Sequence, residues 1–401
     1  PYLATNTTAT TLTPASASVA TGVNITASAV TGINGGAGFQ TTDVGRIISF
    51  NGGKAKITSR TNTTVVVCTI TTAFTNTNAT AAFNLGAFSD TTGHPSCVSF
   101  FEQRLVFAGT TDEPQTLFFS KAGDYENMTT GTNADDAMVY TIASNQVNAI
   151  RYMKAVRTLV VGTTGGEFTV SADGTDASIT PTNITIKRQS SFGSANVDAI
   201  PAGNAILFLQ KAKRKIRELQ YNFDSDGYQA PDLTILNETV TDTGINEMSY
   251  QQEPGSNIWC VRDDGVLACL TYQRSENVIA WSRHIFGGVF GSGKAVCESV
   301  ASISGVLTED EVWVIVKRTI NGATKRFVEC FSDFDFDETS ATSFKFLDSH
   351  LSYSGSATTT LSGLSHLEGQ SVSVLADGAA HANKTVSSGA ITWDRSVTKA
   401  C

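Results

Sequence analysis

The sequence predicts an all-β protein whose core is β-propeller-like, with blades of about 50 residues, flanked by small β-barrel or β-sandwich domains. Three observations lead there. First, charge is sparse: Asp, Glu, Lys and Arg make up 16% of the 401 residues, and Thr, Ser, Gly and Asn fill the gap. β-Branched Thr favours strands, and Gly and Asn favour turns. Second, helical periodicity is nearly absent; residues 134–144 come nearest and read equally well as a loop followed by a strand. Third, apolar strand cores return at a regular interval, and hydrophobic content of 41% is enough to pack them.

The interval carries most of the prediction. Strand cores stand at Leu105-Val106-Phe107, Leu159-Val160-Val161, Ile206-Leu207-Phe208, Ile258-Trp259-Cys260 and Val312-Trp313-Val314, starting 54, 47, 52 and 54 residues apart. A turn and a second strand follow each: residues 117–119, 168–170, 216–219, 266–270 and 327–330. Another strand precedes each, at residues 97–100, 148–151, 198–200, 247–250 and 297–301. A lone blade cannot bury both of its faces, so such units stack around an axis and share a core. The competing arrangement is a pair of β-sandwiches with regular spacing.

The flanks differ. Residues 1–45 form a Thr/Ala-rich β linker region with Val23-Asn24-Ile25-Thr26 as its one obvious strand. Residues 46–90 form a small β-barrel or meander: a hairpin closes at Asn51-Gly52-Gly53, where Asn-Gly accepts the positive φ angles of a tight turn, and a third strand covers residues 64–70. Residues 91–345 hold the propeller-like domain. From 346 to 401 a further β-domain begins, with strands at 359–364, 371–376 and 390–393 and turns at Asp377-Gly378 and Ser388-Gly389.

Composition narrows the function. No run reaches the roughly 18 apolar residues that a membrane helix needs. The net charge of −9 argues against a tight nucleic-acid grip but not against a surface past which DNA slides. The sequence starts at Pro1, with no basic–apolar leader, and reads as internal to a longer polypeptide. Its seven Cys show no CxxC spacing and several sit in apolar strands, as buried free thiols do.

Motifs for chemistry are weak. Gly288 to Lys294 reads G-V-F-G-S-G-K, but Ala295 stands where a phosphate loop needs a hydroxyl, and strands surround it where a βαβ unit is required. Asp333, Asp335 and Asp337 resemble the start of a calcium loop, yet Glu338 replaces its Gly and Phe344 its bidentate Glu; a strand with Phe334 and Phe336 inward is simpler. His94, His284, His350, His366 and His381 lack metal spacing. No catalytic residue, metal or cofactor is expected, and the chain reads as a non-enzyme. The one dense basic cluster is Lys211, Lys213, Arg214, Lys215 and Arg217, at the tip between two strands. It is either a solvated tip that guards a sheet edge or a contact to DNA phosphate or an acidic neighbouring subunit.

Several phrases stand out as long and specific. The longest runs His94-Pro95-Ser96-Cys97-Val98-Ser99-Phe100-Phe101-Glu102-Gln103-Arg104-Leu105-Val106-Phe107-Ala108-Gly109-Thr110, with others at residues 114–116, 119–127, 140–150, 193–195, 226–228, 230–234, 250–254 and 318–322. These phrases resemble the podovirus-type family of phage DNA-stabilisation, tail tubular or nozzle proteins. Together the similarity spans most of residues 1–395. The resemblance implies a virion protein, made in the bacterial host cytoplasm, whose subunits form a ring, a hexamer, below the portal and adaptor rings. It implies tail fibre or needle proteins as further partners, transient non-specific contact with double-stranded DNA in the channel, and no small-molecule substrate. A receptor-binding propeller is the alternative, with Tyr125, Tyr228 or Trp281 as sugar platforms. A propeller glycosidase would need carboxylates converging on the axis.

Overall fold

The computed structural model describes residues 1–143, 147–174, 177–305, 309–332 and 347–401. These divide into two compact units, Pro1–Asn196 with Ser225–Tyr228, and Val197–Asp224 with Gln229–Cys401. The chain is all-β and its core is propeller-like.

The first unit begins with a six-stranded antiparallel sheet. Its strands are β1 (Leu12–Pro14), β2 (Val23–Ala27), β3 (Ile47–Phe50), β4 (Gly53–Arg60), β5 (Val65–Thr72) and β6 (Phe83–Leu85), in the order β1-β2-β5-β4-β3-β6. Burial alternates along β2 and β5, which sends one face of the sheet, including Leu12, Ile25, Ile57, Cys68 and Ile70, into a single core. Residues 1–45 and 46–90 therefore share a sheet, where the sequence suggested a linker region followed by a separate meander. Long-range pairing of β2 with β5 joins them (Val23 opposite Cys68, Ile25 opposite Val66). The β3–β4 hairpin turns at Asn51 and Gly52, whose φ angles of 44° and 69° are those expected of Asn-Gly.

Two blades follow in the same unit. One comprises β7 (Cys97–Phe101), β8 (Arg104–Ala108), β9 (Thr116–Phe119) and β10 (Met138–Thr141); the next has β11 (Ile150–Ala155), β12 (Leu159–Thr163), β13 (Gly166–Ala172) and β14 (Ile184–Ser190). Each is an antiparallel meander of consecutive strands. Val106, Leu117 and Phe119 of the first share a core with Met153, Leu159, Val161 and Val170 of the second, the face-to-face burial that a solitary blade lacks. Residues 134–144 resolve, where described, into loop and then β10.

In the second unit, β15 (Ile200–Ala202), β16 (Ala205–Leu209) and β17 (Ile216–Asn222) start a blade. The three-residue β18 (Gly227–Gln229) comes next in the chain. Then β19 (Ile245–Gln251), β20 (Asn257–Arg262), β21 (Leu267–Gln273) and β22 (Val278–His284) form a four-stranded meander. A two-stranded hairpin, β23 (Val289–Phe290) with β24 (Gly293–Lys294), precedes the three-stranded β25 (Val296–Ile303), β26 (Glu311–Ile320) and β27 (Ala323–Cys330). Trp259, Val261 and Leu267 pack with Val300, Val312, Val314 and Val316 between the last two blades. All five predicted strand cores lie in second strands of these meanders. Consecutive pairing also separates them from sandwiches, in which Greek-key connections carry strands between sheets. The same register shift recurs early in the first strand of three blades, between Ile150 and Tyr152, Ile245 and Glu247, and Cys297 and Ser299. Such a bulge increases local twist.

The C-terminal β28 (Tyr353–Ser362), β29 (Ser371–Ala376), β30 (Ala379–Thr385) and β31 (Ala390–Ala400) form a sheet in the order β28-β31-β29-β30, with its own core around Val374, Ile391, Trp393 and Val397. Asp377 and Gly378 turn it with φ of 50° and 79°. The Gly-rich 288–294 stretch is the small β23–β24 hairpin, a strand-to-strand turn as its surroundings predicted. Asp333, Asp335 and Asp337 lie outside the described residues. Five thiols are buried, and burial pushes Cys68, Cys269 and Cys297 up to about 12. Cys330 departs from that expectation: it is exposed near the end of β27. Among the described residues no helix is long and apolar enough to cross a membrane.

Candidate functional site

The basic cluster sits where β16 turns into β17. All five residues of β16 are buried, so the sheet position of the hairpin is fixed by packing and its charges are pushed to the tip. Gln210 N–H donates to the Lys215 carbonyl (2.8 Å) and Lys213 N–H to the Gln210 carbonyl (2.7 Å); Lys213 takes a positive φ of 63° to close the turn.

The cluster then divides. Lys213 Nζ donates to Asn246 Oδ1 at 2.6 Å. Lys215 Nζ pairs with Asp232 Oδ2 at 2.8 Å and Glu238 Oε1 at 3.5 Å. Arg217, directly opposite Phe208 in the ladder, donates through Nε to Gln210 Oε1 (2.8 Å) and through Nη1 to the Ala230 carbonyl (2.7 Å). Lys211 and Arg214 are exposed, and their side chains have no hydrogen bond or ion pair among the described residues. Of five cations that the sequence groups together, three are committed to the chain's own groups and two face outward.

Electrostatics follow this division. The hydrogen bond to Asp232, then the charges of Asp232 and Glu238, hold the Lys215 ammonium above its ordinary pKa. Burial alone would raise Asp232, but hydrogen bonds from Lys215 and Thr234 more than offset it, and its carboxyl stays below the usual range. Behind the tip, Glu218 of β17 is 1% exposed and accepts from Tyr272 Oη (3.0 Å), with Arg274 Nε 3.3 Å away. Burial and this carboxylate push the Tyr272 phenol up.

A neighbouring loop completes the surface. Leu233 N–H donates to the Ile216 carbonyl (2.9 Å) and Thr241 Oγ1 to the Arg214 carbonyl (2.7 Å), which binds residues 232–241 to the hairpin. Between these anchors Ile235 and Leu236 stand 66% and 90% exposed. Sequence reading missed them: apolar residues beside Leu233 look like one more buried strand, and only the turn geometry exposes them.

The aromatic residues weighed as sugar platforms have different surroundings. Trp281 is half-buried and its indole N–H is taken by the Leu233 carbonyl (2.9 Å). Tyr228 is half-buried with its hydroxyl 3.3 Å from Thr158 Oγ1. Tyr125 is exposed, edge-on to the exposed ring of Phe100 at 5.2 Å. Among the described residues no group of three or more His, Cys, Asp or Glu is arranged to hold a metal ion.

No protein-family model matches the chain, and no curated protein does. Among solved structures, the β-propeller domain of Myceliophteria thermophila Cps50 (Swd1) is similar at 8% identity and TM-score 0.37, covering 71% of this chain and 85% of that one. An auxiliary nutrient binding protein from Bacteroides ovatus has 8% identity and TM-score 0.33, with 78% and 83% covered. The phage phi92 endosialidase has 12% identity and TM-score 0.20; 98% of this chain is covered, and 58% of that one. At such values the likeness carries no inference about activity.

Proposed function

We propose that this chain is a structural virion protein, a subunit of the ring through which a podovirus-type phage tail retains and then conducts DNA, without catalysis. The observation that carries the reading is where the family-like phrases fall in the fold. The longest forms the β7–β8 hairpin, and its Arg104, 2% exposed, reaches out of the hairpin to the phrase at 119–127 and to the loop that follows it. Arg104 Nη1 donates to the carbonyls of Ser120 (2.8 Å) and Asp136 (2.7 Å), and Nη2 to that of Ala134 (2.7 Å). The phrases at 94–110 and 119–127 are thus bonded to each other, which supports a shared family design over chance likeness. A net charge of −9 agrees: it repels the phosphate backbone and permits transit.

One observation favours a second reading, glycan binding by a virion propeller. The Phe100 and Tyr125 rings are 60% and 45% exposed, an aromatic face of the kind sugars stack on. Particles assembled without this chain distinguish the two. The ring reading expects heads that package DNA and then lose it to nuclease. Heads that keep their DNA and fail only to adsorb to cells would replace it with the glycan reading.

A further inference from the structure

We infer that the loop tip carrying Ile235 and Leu236, with Lys211 and Arg214 beside it, docks on the acidic and aromatic surface around Asp124, Tyr125 and Glu126 of a second copy of this chain. The inference rests on the ring reading and names the surfaces that would build the ring.

The first surface is a preformed anchor. Two adjacent aliphatic side chains, 66% and 90% exposed, project from a loop whose ends are bonded to the 210–216 hairpin. Isolated apolar residues on a surface need no explanation, but a held pair with no cover has the form of an interface anchor. Around the tip, Asp232 and Glu238 are engaged by Lys215, so neither carboxylate neutralises Lys211 or Arg214. The tip is apolar at its centre and cationic at its edge.

The second surface has the opposite charge. Val98 and Phe100 on β7 are each 60% exposed, and Tyr125 lies against Phe100. Asp124 and Glu126 are exposed on either side of Tyr125. The nearby Lys121 is already paired with Asp135 at 2.9 Å, which leaves the two carboxylates in excess. The same loop lines a hollow of about 630 Å³ together with Ile47, Phe88 and Met128; Arg46, Lys54 and the Pro1 amine line it too. A cavity of about 150 Å³ takes a benzene ring, so this one has room for the two aliphatic side chains.

Charge complementarity between these surfaces decides the occupant. In a chain of net charge −9 the nearest abundant partner for an uncommitted cationic edge is another copy's carboxylates. Because the two surfaces differ, the contact is head-to-tail, the type that generates rings; a self-complementary patch would stop at a dimer.

The test uses the full chain with the photo-crosslinking residue p-benzoylphenylalanine at position 236, alongside two charge-reversed chains, Lys211→Glu/Arg214→Glu and Asp124→Lys/Glu126→Lys. Each reversal should weaken self-assembly at least ten-fold, read by sedimentation at low salt, with an unchanged urea midpoint showing that the variants fold. Mixing the two should restore assembly, since each acidic tip then meets a basic surface and each basic tip an acidic one. Cross-links should map to peptides covering residues 96–129 of another copy. Rings that form but cross-link elsewhere, or to DNA, would overturn this assignment and leave the ring reading standing. Unmodified chain that stays monomeric on its own and at the particle would overturn both.

Discussion

Two hairpins of this molecule carry conspicuous cations and use them in opposite ways. At β7–β8, Arg104 is buried, and burial lowers its pKa, yet its guanidinium fans across the carbonyls of residues 120–136 and fixes a loop that has little regular structure of its own. At β16–β17, five cations crowd a tip, three tied to side chains or carbonyls 7 to 33 residues away. Two are left facing outward. The single arginine is architecture; the crowded tip is partly surface. What separates them is register, which turns Arg104 toward orphan carbonyls and Lys211 and Arg214 toward solvent. The density of charge in the sequence does not.

Substitutions sharpen that contrast, the largest effect first. Arg104→Met leaves the carbonyls of Ser120, Ala134 and Asp136 without their donor, and should cost about 3 kcal/mol, read as a lower urea midpoint. Arg104→Lys should not rescue it, because one ammonium cannot span three carbonyls in the guanidinium's plane. An unaffected midpoint would break the comparison at its buried end.

Acid should expose a third use of charge. Glu298 lies between Arg326 (2.6 Å) and Lys317 (2.7 Å), and these partners, Arg326 first, hold its carboxyl down at about 2 from 4.5. Its folded pKa is depressed, so its contribution is present above the unfolded value and disappears as pH falls from about 4.5 to 2. Glu298→Gln should flatten that part of the acid-unfolding curve and leave its slope above pH 5 alone. At the tip, Lys215→Met should lower the urea midpoint far less than Arg104→Met does, since its pair is solvent-screened. Smallest of all, replacing Lys211 and Arg214 by Ala should shift stability by no more than about 0.5 kcal/mol, while weakening assembly.

The blades were legible because each second strand is a run of apolar residues between turns, as at Leu159-Val160-Val161. Asn51-Gly52 and Asp377-Gly378 announced their hairpins for a local reason, the positive φ that both turns adopt. The outermost strands were not legible: β14 and β22 are exposed or half-buried along their whole length, so no periodic apolar signal marks them. Nor could spacing show that β2 pairs with β5, some forty residues on, and so merges two segments into one sheet. The candidate site was half legible. The cations were plain, but their partners Asp232, Glu238 and Asn246 are distant in sequence, and the exposure of Ile235 and Leu236 depends on hydrogen bonds that fix the loop.

Electron microscopy of the chain, alone and on particles, tests the central claim most directly. The account predicts six-fold rings below a portal, with DNA density in the bore and the tip at Leu236 buried between subunits. Monomers in solution, or copies at the particle's periphery with no channel, would contradict it.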